Sequence, residues 1–268
     1  MQNFTLRDPQ GNIILSAESV TAPVSLESYG VALAEADKAV ESAFDETEKY
    51  SNAVAVMSSE GFGEQAKAVA GTVLKKIAEF FVKIGEWFAK LGEAIGKIIV
   101  SAKFATAAGP KGKELIKLQG EISKQQSAIM KAVAKEAAAN ANSETAGEST
   151  EIYKALQNWA KHGMDFSKEL FAVCKVYLKG MSITYRQIDP SALGMIEAFA
   201  GKAIVIAKKT SAHFLYVTTA YKDADINDVN RNIDVINDGI GQLNQLKNDT
   251  TNDLEQEEKK IKAIHKED

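Results

Sequence analysis

The side chains that could perform chemistry in this chain of 268 residues are few and scattered. The three histidines, His162, His213 and His265, match no metal-ligand spacing, and a lone histidine is more often a surface or packing residue. The single cysteine, Cys174, excludes an intramolecular disulfide and falls on an apolar helix face, which indicates a buried structural thiol. The sequence contains neither a phosphate-binding loop nor a nucleophile elbow. We therefore predict a protein that is not an enzyme and has no catalytic, cofactor-binding or metal-binding residues.

A short acidic segment near residue 225 is similar to the start of a calcium-binding loop. Asp223, Asp225 and Asn227 occupy the first, third and fifth positions of such a loop. Its sixth position would be Asp228, where glycine is needed, and its twelfth is Asp234 where the loop has glutamate. The segment is therefore predicted to be the acidic start of a helix.

The net charge of −4 is divided into blocks of opposite sign. Residues 1–60 hold 3 Lys/Arg against 10 Asp/Glu, and residues 61–135 hold 13 against 6. Residues 136–222 hold 10 against 8, and residues 223–268 hold 6 against 12. Such blocks indicate pieces that attract or shield one another, although charges also cluster on solvated helix faces.

A heptad repeat over residues 76–103 predicts an amphipathic helix within residues 64–105. Its predicted apolar face comprises Ile77, Phe80, Phe81, Ile84, Trp87, Phe88, Leu91, Ile95 and Ile98. Its predicted basic face comprises Lys76, Lys83, Lys90 and Lys97. The face is typical of the core of a helical bundle. Two alternatives are an interfacial membrane helix and a phosphate-contacting helix on nucleic acid. The spacing of Gly85, Gly92 and Gly96 indicates close approach of another helix.

The remaining pattern predicts an all-α protein, an elongated bundle of long amphipathic helices with a small N-terminal β-hairpin leader. A chain with only 4 prolines suits long helices, since proline interrupts them. No uncharged apolar run reaches about 18 residues, so no membrane-spanning helix is predicted. The hairpin is expected at 3–16, and further helices are expected at 25–57, 113–139, 149–179, 190–222 and 223–264. Ala107–Lys113 is expected to be a linker, and Gly180 is expected to end the helix at 149–179.

The last helix carries a coiled-coil-like seam in steps of three and four residues. The seam begins with Ile226, Val229, Ile233, Ile236, Ile240 and Leu243, and Lys247 interrupts it later. A helix of about 40 residues is roughly 60 Å long, which predicts a rod-like molecule. We expect residues 223–264 to pack against 25–57 or 113–139, and opposite charge favours the second.

The order of parts in residues 1–105 resembles a known family. A leader contains Ser16-Ala17-Glu18 and Ser25-Leu26-Glu27, an acidic segment begins SLESYGVALAEA, and a lysine–aromatic helix reads KKIAEFFVKIGEWFAKLGEAIGK. This order resembles the internal head proteins of phiKZ-like giant tailed phages. In that family a prohead protease cuts after glutamate in a Ser/Ala/Gly-x-Glu motif, and the matured protein is packaged with the genome.

The resemblance implies that Glu18, Glu27 and Glu60 are candidate cleavage positions. It also implies a leader of residues 1–27. The helix pattern itself predicts a part of residues 28–139 with acidic and basic helices and a helical part of residues 150–268 that ends in the coiled-coil-like helix. The implied partners are other phage head proteins, the prohead protease, packaged DNA bound without sequence preference, and further copies of the chain. The implied location is the interior of the virion head, with the host cytoplasm during assembly and after ejection.

Two other functions fit the same residues. A helical membrane-interacting or pore-forming protein would use the Trp/Phe/Lys helix and the apolar window at 192–207. A structural or tail-associated virion component would be present unprocessed and outside the head.

Overall fold

Five long helices make up most of the part of the chain that the structure describes. In the computed structural model this part is residues 5–7, 13–16, 45, 49, 66–100, 108–143, 145–187 and 190–264. The helices are α1 Ala66–Val100, α2 Gly109–Asn140, α3 Ala146–Gln187, α4 Pro190–Ala220 and α5 Ile226–Ile264. The predicted all-α class is confirmed for the described residues between 66 and 264.

Two short strands are described near the N-terminus. β1 Thr5–Arg7 and β2 Ile13–Ser16 pair antiparallel, with Leu6 opposite Leu15. The helix predicted at 25–57 lies outside the described residues, except that Asp45 and Lys49 are helical.

The start of α2 corrects the predicted linker at Ala107–Lys113, because the helix already begins at Gly109. Gly109 has a φ of 55°, in the left-handed region that glycine enters without steric cost. Pro110 occupies the first turn of α2, where a backbone N–H has no helical partner to lose. The proline therefore starts this helix and does not interrupt it.

The length of α3 corrects a second expectation, since the helix continues to Gln187 and passes through Gly180. A Cβ atom added to Gly180 would overlap the Cδ1 atom of Ile196 in α4. The glycine therefore permits two helices to approach and does not end one. The start of α3 at Ala146 also precedes the predicted cap, and the Thr150 hydroxyl donates to the Ala146 carbonyl inside the first turn at 2.9 Å.

α1 and α2 pack antiparallel along each other, α3 contacts all four other helices, and α5 packs on α3 and α4. The backbones of α1 and α2 approach closely at Gly85 and Gly92, as their spacing predicts. A Cβ on Gly85 would lie 3.3 Å from the Cβ of Met130, and one on Gly92 would lie 3.7 Å from that of Ser123. Gly96 has no such neighbour within 4 Å.

Of the two partners predicted for residues 223–264, the favoured one, 113–139, is wrong, whereas 25–57 lies outside the described residues apart from Asp45 and Lys49. α5 packs on α3 and α4, which separate it from the basic helix α2. The seam of α5 buries Val229, Ile236, Leu243 and Leu254. Burial of these side chains is worth about 1.5–3 kcal/mol each, whereas exposed charges attract weakly beyond about 10 Å. Burial therefore decides which helix α5 contacts.

One hydrophobic core connects the five helices. It extends in sequence from Ala70 to Leu254 and is continuous across residues 140–149. Trp159 of α3 stacks on Phe214 of α4, with ring centroids 4.2 Å apart. The Tyr177 hydroxyl donates to the carbonyl of Ala108, which attaches α3 to the start of α2.

Candidate functional site

The candidate cleavage positions precede the helical bundle in the chain. Glu18, Glu27 and Glu60 lie outside the described residues, so their use stays a prediction. β2 ends at Ser16, and α1 begins at Ala66, which follows all three glutamates.

The apolar face of α1 is buried. Ile77, Phe80, Phe81, Ile84 and Phe88 are each 0% exposed, Trp87, Leu91 and Ile95 are 1% exposed, and Ile98 is 3% exposed. α1 packs against α2 and α3, and the rings of Trp87 and Phe88 meet edge to face with centroids 4.6 Å apart. In the described bundle this face is core, which is the arrangement typical of a packed amphipathic helix.

The basic face of α1 lies at the surface. Lys90 and Lys97 are exposed, whereas Lys76 and Lys83 are partly buried. The Lys76 Nζ atom lies 3.1 Å from the Glu79 Oε2 atom, so one of these charges is compensated within the helix.

A longer series of lysines follows α2, and we call it the α2 lysine row. Its members are Lys113, Lys117, Lys124, Lys131 and Lys135, all of them exposed. Their spacing of 4, 7, 7 and 4 residues places them within an arc of about 40° on a helix of 3.6 residues per turn. The basic block of residues 61–135 predicts that this helix carries excess lysine. The row itself was not predicted, although its spacing is visible in the sequence.

Ion pairs in the described part of the chain leave most of the α2 lysine row uncompensated. Lys117 lies 3.6 Å from Glu121, one turn away on the same exposed face. The other four lysines of the row form no ion pair with any described residue.

The glutamates of α2 that face α4 are neutralised by one lysine of that helix and one that directly follows it. Lys208 of α4 lies 2.6 Å from Glu114, and Lys222, just after α4, lies 3.5 Å from Glu136. The acidic side chains of α2 therefore pair with neighbours, and its positive charge remains at the surface.

The row occupies the ridge of α2 between its contacts with α1 and α4. The Cγ atoms of Lys131 and Lys124 lie 3.6 and 3.7 Å from where Cβ atoms on Gly85 and Gly92 of α1 would be. The aliphatic stems of these lysines therefore lie along the glycine side of α1, and their ammonium groups reach solvent.

The other titratable groups in the described part of the chain do not assemble into a reactive site. Burial raises the pKa of the Cys174 thiol to about 12, so it is not a nucleophile at neutral pH. Burial also raises the pKa of Asp165, and the nearby His162 and Lys161 partly oppose that shift. His213 is exposed. Among the described residues, no group of three His, Cys, Asp or Glu side chains could hold a metal ion.

The acidic segment predicted to start a helix does so. α5 begins at Ile226, directly after Asp225. The Asn227 backbone N–H donates to the Asp225 Oδ1 atom at 3.0 Å, which is the geometry of an N-cap. The carboxylate of Asp225 therefore satisfies a backbone donor of the first turn.

A groove between α4 and α5 is open to solvent and is lined by Gly201, Lys202, Val205, Ile206, Gln242, Gln245, Leu246 and Asp249. No described helix is both long enough and apolar enough to cross a lipid bilayer.

Comparison with known proteins finds no matching family model, no matching curated protein and no matching solved structure.

Proposed function

We propose that this chain is a structural internal head protein of a tailed phage, packaged with DNA after a protease removes an N-terminal leader. The observation that carries the proposal is the position of the candidate cuts. Glu18, Glu27 and Glu60 all precede Ala66, where α1 begins. Removal of any of the three leaders leaves every residue of the five helices in the chain.

The charge that remains after each cut favours the deepest one. Removal of residues 1–60 takes away 3 basic and 10 acidic residues, which changes the net charge from −4 to +3. Removal of residues 1–27 takes away Arg7 together with Asp8, Glu18 and Glu27, which leaves −2. A protein beside packaged DNA gains affinity from excess lysine and arginine, so the cut after Glu60 suits this function best.

The protein performs no catalysis in this proposal. Its partners are other head proteins, the prohead protease, packaged DNA and further copies of itself. It works inside the virion head as an elongated helical bundle, and it occupies the host cytoplasm during assembly.

Mass spectrometry of the protein from purified particles tests the proposal. We expect a mature N-terminus at Ser19, Ser28 or Gly61, with the last favoured by charge. The same loose motif at Ala146-Gly147-Glu148 is an internal control, because it forms the first turn of α3 and should stay uncut. A chain that keeps Met1 in virions, or that is absent from the head, would contradict the proposal.

The membrane-interacting alternative receives less support. The α1 side chains that would enter a lipid surface are the nine of its apolar face, and all nine lie in the core of the bundle. Insertion would require α1 to separate from α2 and α3. Leakage of dye from liposomes on addition of the purified chain would favour this alternative.

A further inference from the structure

We propose that the α2 lysine row binds the phosphate backbone of duplex DNA without reading its sequence. This inference deepens the proposed function by naming the surface and the form of nucleic acid. It is tested on the purified chain, so it can fail while processing in the virion holds.

The geometry of the row suits a duplex. Lys113 and Lys135 are 22 residues apart, which is about 33 Å along the axis of α2. One turn of B-DNA measures about 34 Å. The five ammonium groups project from one narrow ridge about as long as a turn of the duplex, so a duplex lying along it presents phosphates of both strands to them.

The charge of the row is available for a ligand. Glu114 and Glu136 of α2 pair with lysines of or beside α4, and Glu121 pairs with Lys117. Within the described residues, Glu86 and Glu93 of α1 form no ion pair with the row. Binding of phosphates therefore does not require an ion pair of Lys113, Lys124, Lys131 or Lys135 with described residues to break.

The surroundings of the row favour DNA over a protein partner. Protein interfaces have an apolar centre with aromatic or aliphatic anchors. The large hydrophobic side chains exposed in the described part of the chain are Val69, Val82, Val100, Val205, Tyr216 and Ile226, and none belongs to α2. A flexible lysine ammonium contacts a phosphate as a point charge, without the fork geometry that arginine offers to base edges.

The same surroundings favour a duplex over a single strand. Single-stranded nucleic acid is typically held by aromatic side chains on which its bases stack. The sequence of α2 contains no aromatic residue. The charge density of a duplex, about one per 1.7 Å of axis, matches a surface that offers charge alone.

Fluorescence anisotropy of the full-length chain with a labelled duplex of about 30 base pairs, between 50 and 200 mM salt, tests the proposal. Five phosphate contacts predict a slope of log K against log salt of about −4.5. The triple variant Lys124→Gln/Lys131→Gln/Lys135→Gln should reduce that slope by about 2.7 and weaken binding at 0.1 M salt at least about tenfold. Duplexes of different sequence should bind equally.

A matched control removes the same charge elsewhere. Lys179→Gln/Lys202→Gln/Lys209→Gln changes three exposed lysines of α3 and α4 and should leave the slope unchanged. Equal binding by the two triple variants would overturn the proposal, as would absence of duplex binding at 50 mM salt. Stronger binding of poly-glutamate than of the duplex would also overturn it and would indicate an acidic protein partner. Circular dichroism establishes that both variants are folded.

Discussion

Leu91 and Glu86 lie on opposite sides of α1, and their substitution should have very different effects. Leu91 is 1% exposed, whereas Glu86 is exposed. Leu91→Asp places a carboxylate without a partner in the core and should lower the free energy of unfolding by more than about 3 kcal/mol. Glu86→Ala should change it by no more than about 0.5 kcal/mol. Thermal melts followed by circular dichroism compare the two, and equal melting temperatures would mean that the α1 face is not packed in solution.

Two glycines provide a second contrast at the scale of single residues. A Cβ atom on Gly163 of α3 would overlap the ring of Phe214, which is already stacked on Trp159. Gly163→Ala should therefore destabilise the protein by about 1–3 kcal/mol, the usual cost of an overpacked core. A Cβ atom on Gly96 of α1 would have no neighbour within 4 Å among the described residues, so Gly96→Ala should stabilise the protein by up to about 1 kcal/mol through helix propensity. Urea unfolding measures both, and a stabilised Gly163→Ala variant would contradict the close contact.

At the scale of elements, Lys247, which interrupts the apolar seam of α5, forms an ion pair with a residue of α3. The Lys247 Nζ atom lies 2.7 Å from the Glu169 Oε2 atom of α3, and both side chains are less than a quarter exposed. We expect a double-mutant cycle with alanine to give a coupling energy of about 1 kcal/mol for this pair. The more exposed pair of Lys208 and Glu114 should give less than about 0.5 kcal/mol. Similar coupling energies in urea unfolding would show that burial does not strengthen the α3–α5 pair.

The sequence predicts elements better than it predicts their contacts. Local periodicity identifies the buried face of α1, because apolar residues three or four positions apart lie on the same side of a helix. It does not distinguish a glycine that ends a helix from one that admits a neighbour, so the end predicted at Gly180 is wrong. Charge blocks also misidentify the partner of α5, since contact between helices depends on apolar fit along the whole seam. Lys247 shows this, because a residue that interrupts the seam in sequence pairs with Glu169 in the fold.

Part of the candidate site can likewise be predicted from the sequence, and part depends on contacts in the fold. The α2 lysine row can be recognised from spacing alone. That most of its charge stays unpaired depends on Lys208 of α4 and Lys222 just after α4, because these lysines pair with Glu114 and Glu136 of α2. Those ion pairs join residues 94 and 86 positions apart in the chain, which no local pattern encodes. The cleavage candidates depend on the resemblance and stay predictions.

At the scale of the whole molecule, helix length predicts the overall shape. The longest helix, α3, has 42 residues and therefore extends about 63 Å. A compact globule of this chain length would have a radius of gyration of about 18 Å. We expect small-angle scattering to give a clearly larger value and an asymmetric distance distribution, and a value close to 18 Å would contradict the rod-like shape.

The buried thiol of Cys174 has a consequence for the kinetics of the bundle. A thiol with a pKa of about 12 is only about one part in 10⁴ thiolate at pH 8, and Cys174 is 2% exposed in the middle of α3. A thiol reagent should therefore react only when the helices around α3 separate. Because the chain has a single cysteine, the rate at which Cys174 is labelled measures this opening. At low reagent concentration the labelling rate depends on the equilibrium population of the open bundle. At saturating reagent concentration it equals the rate constant at which the bundle opens.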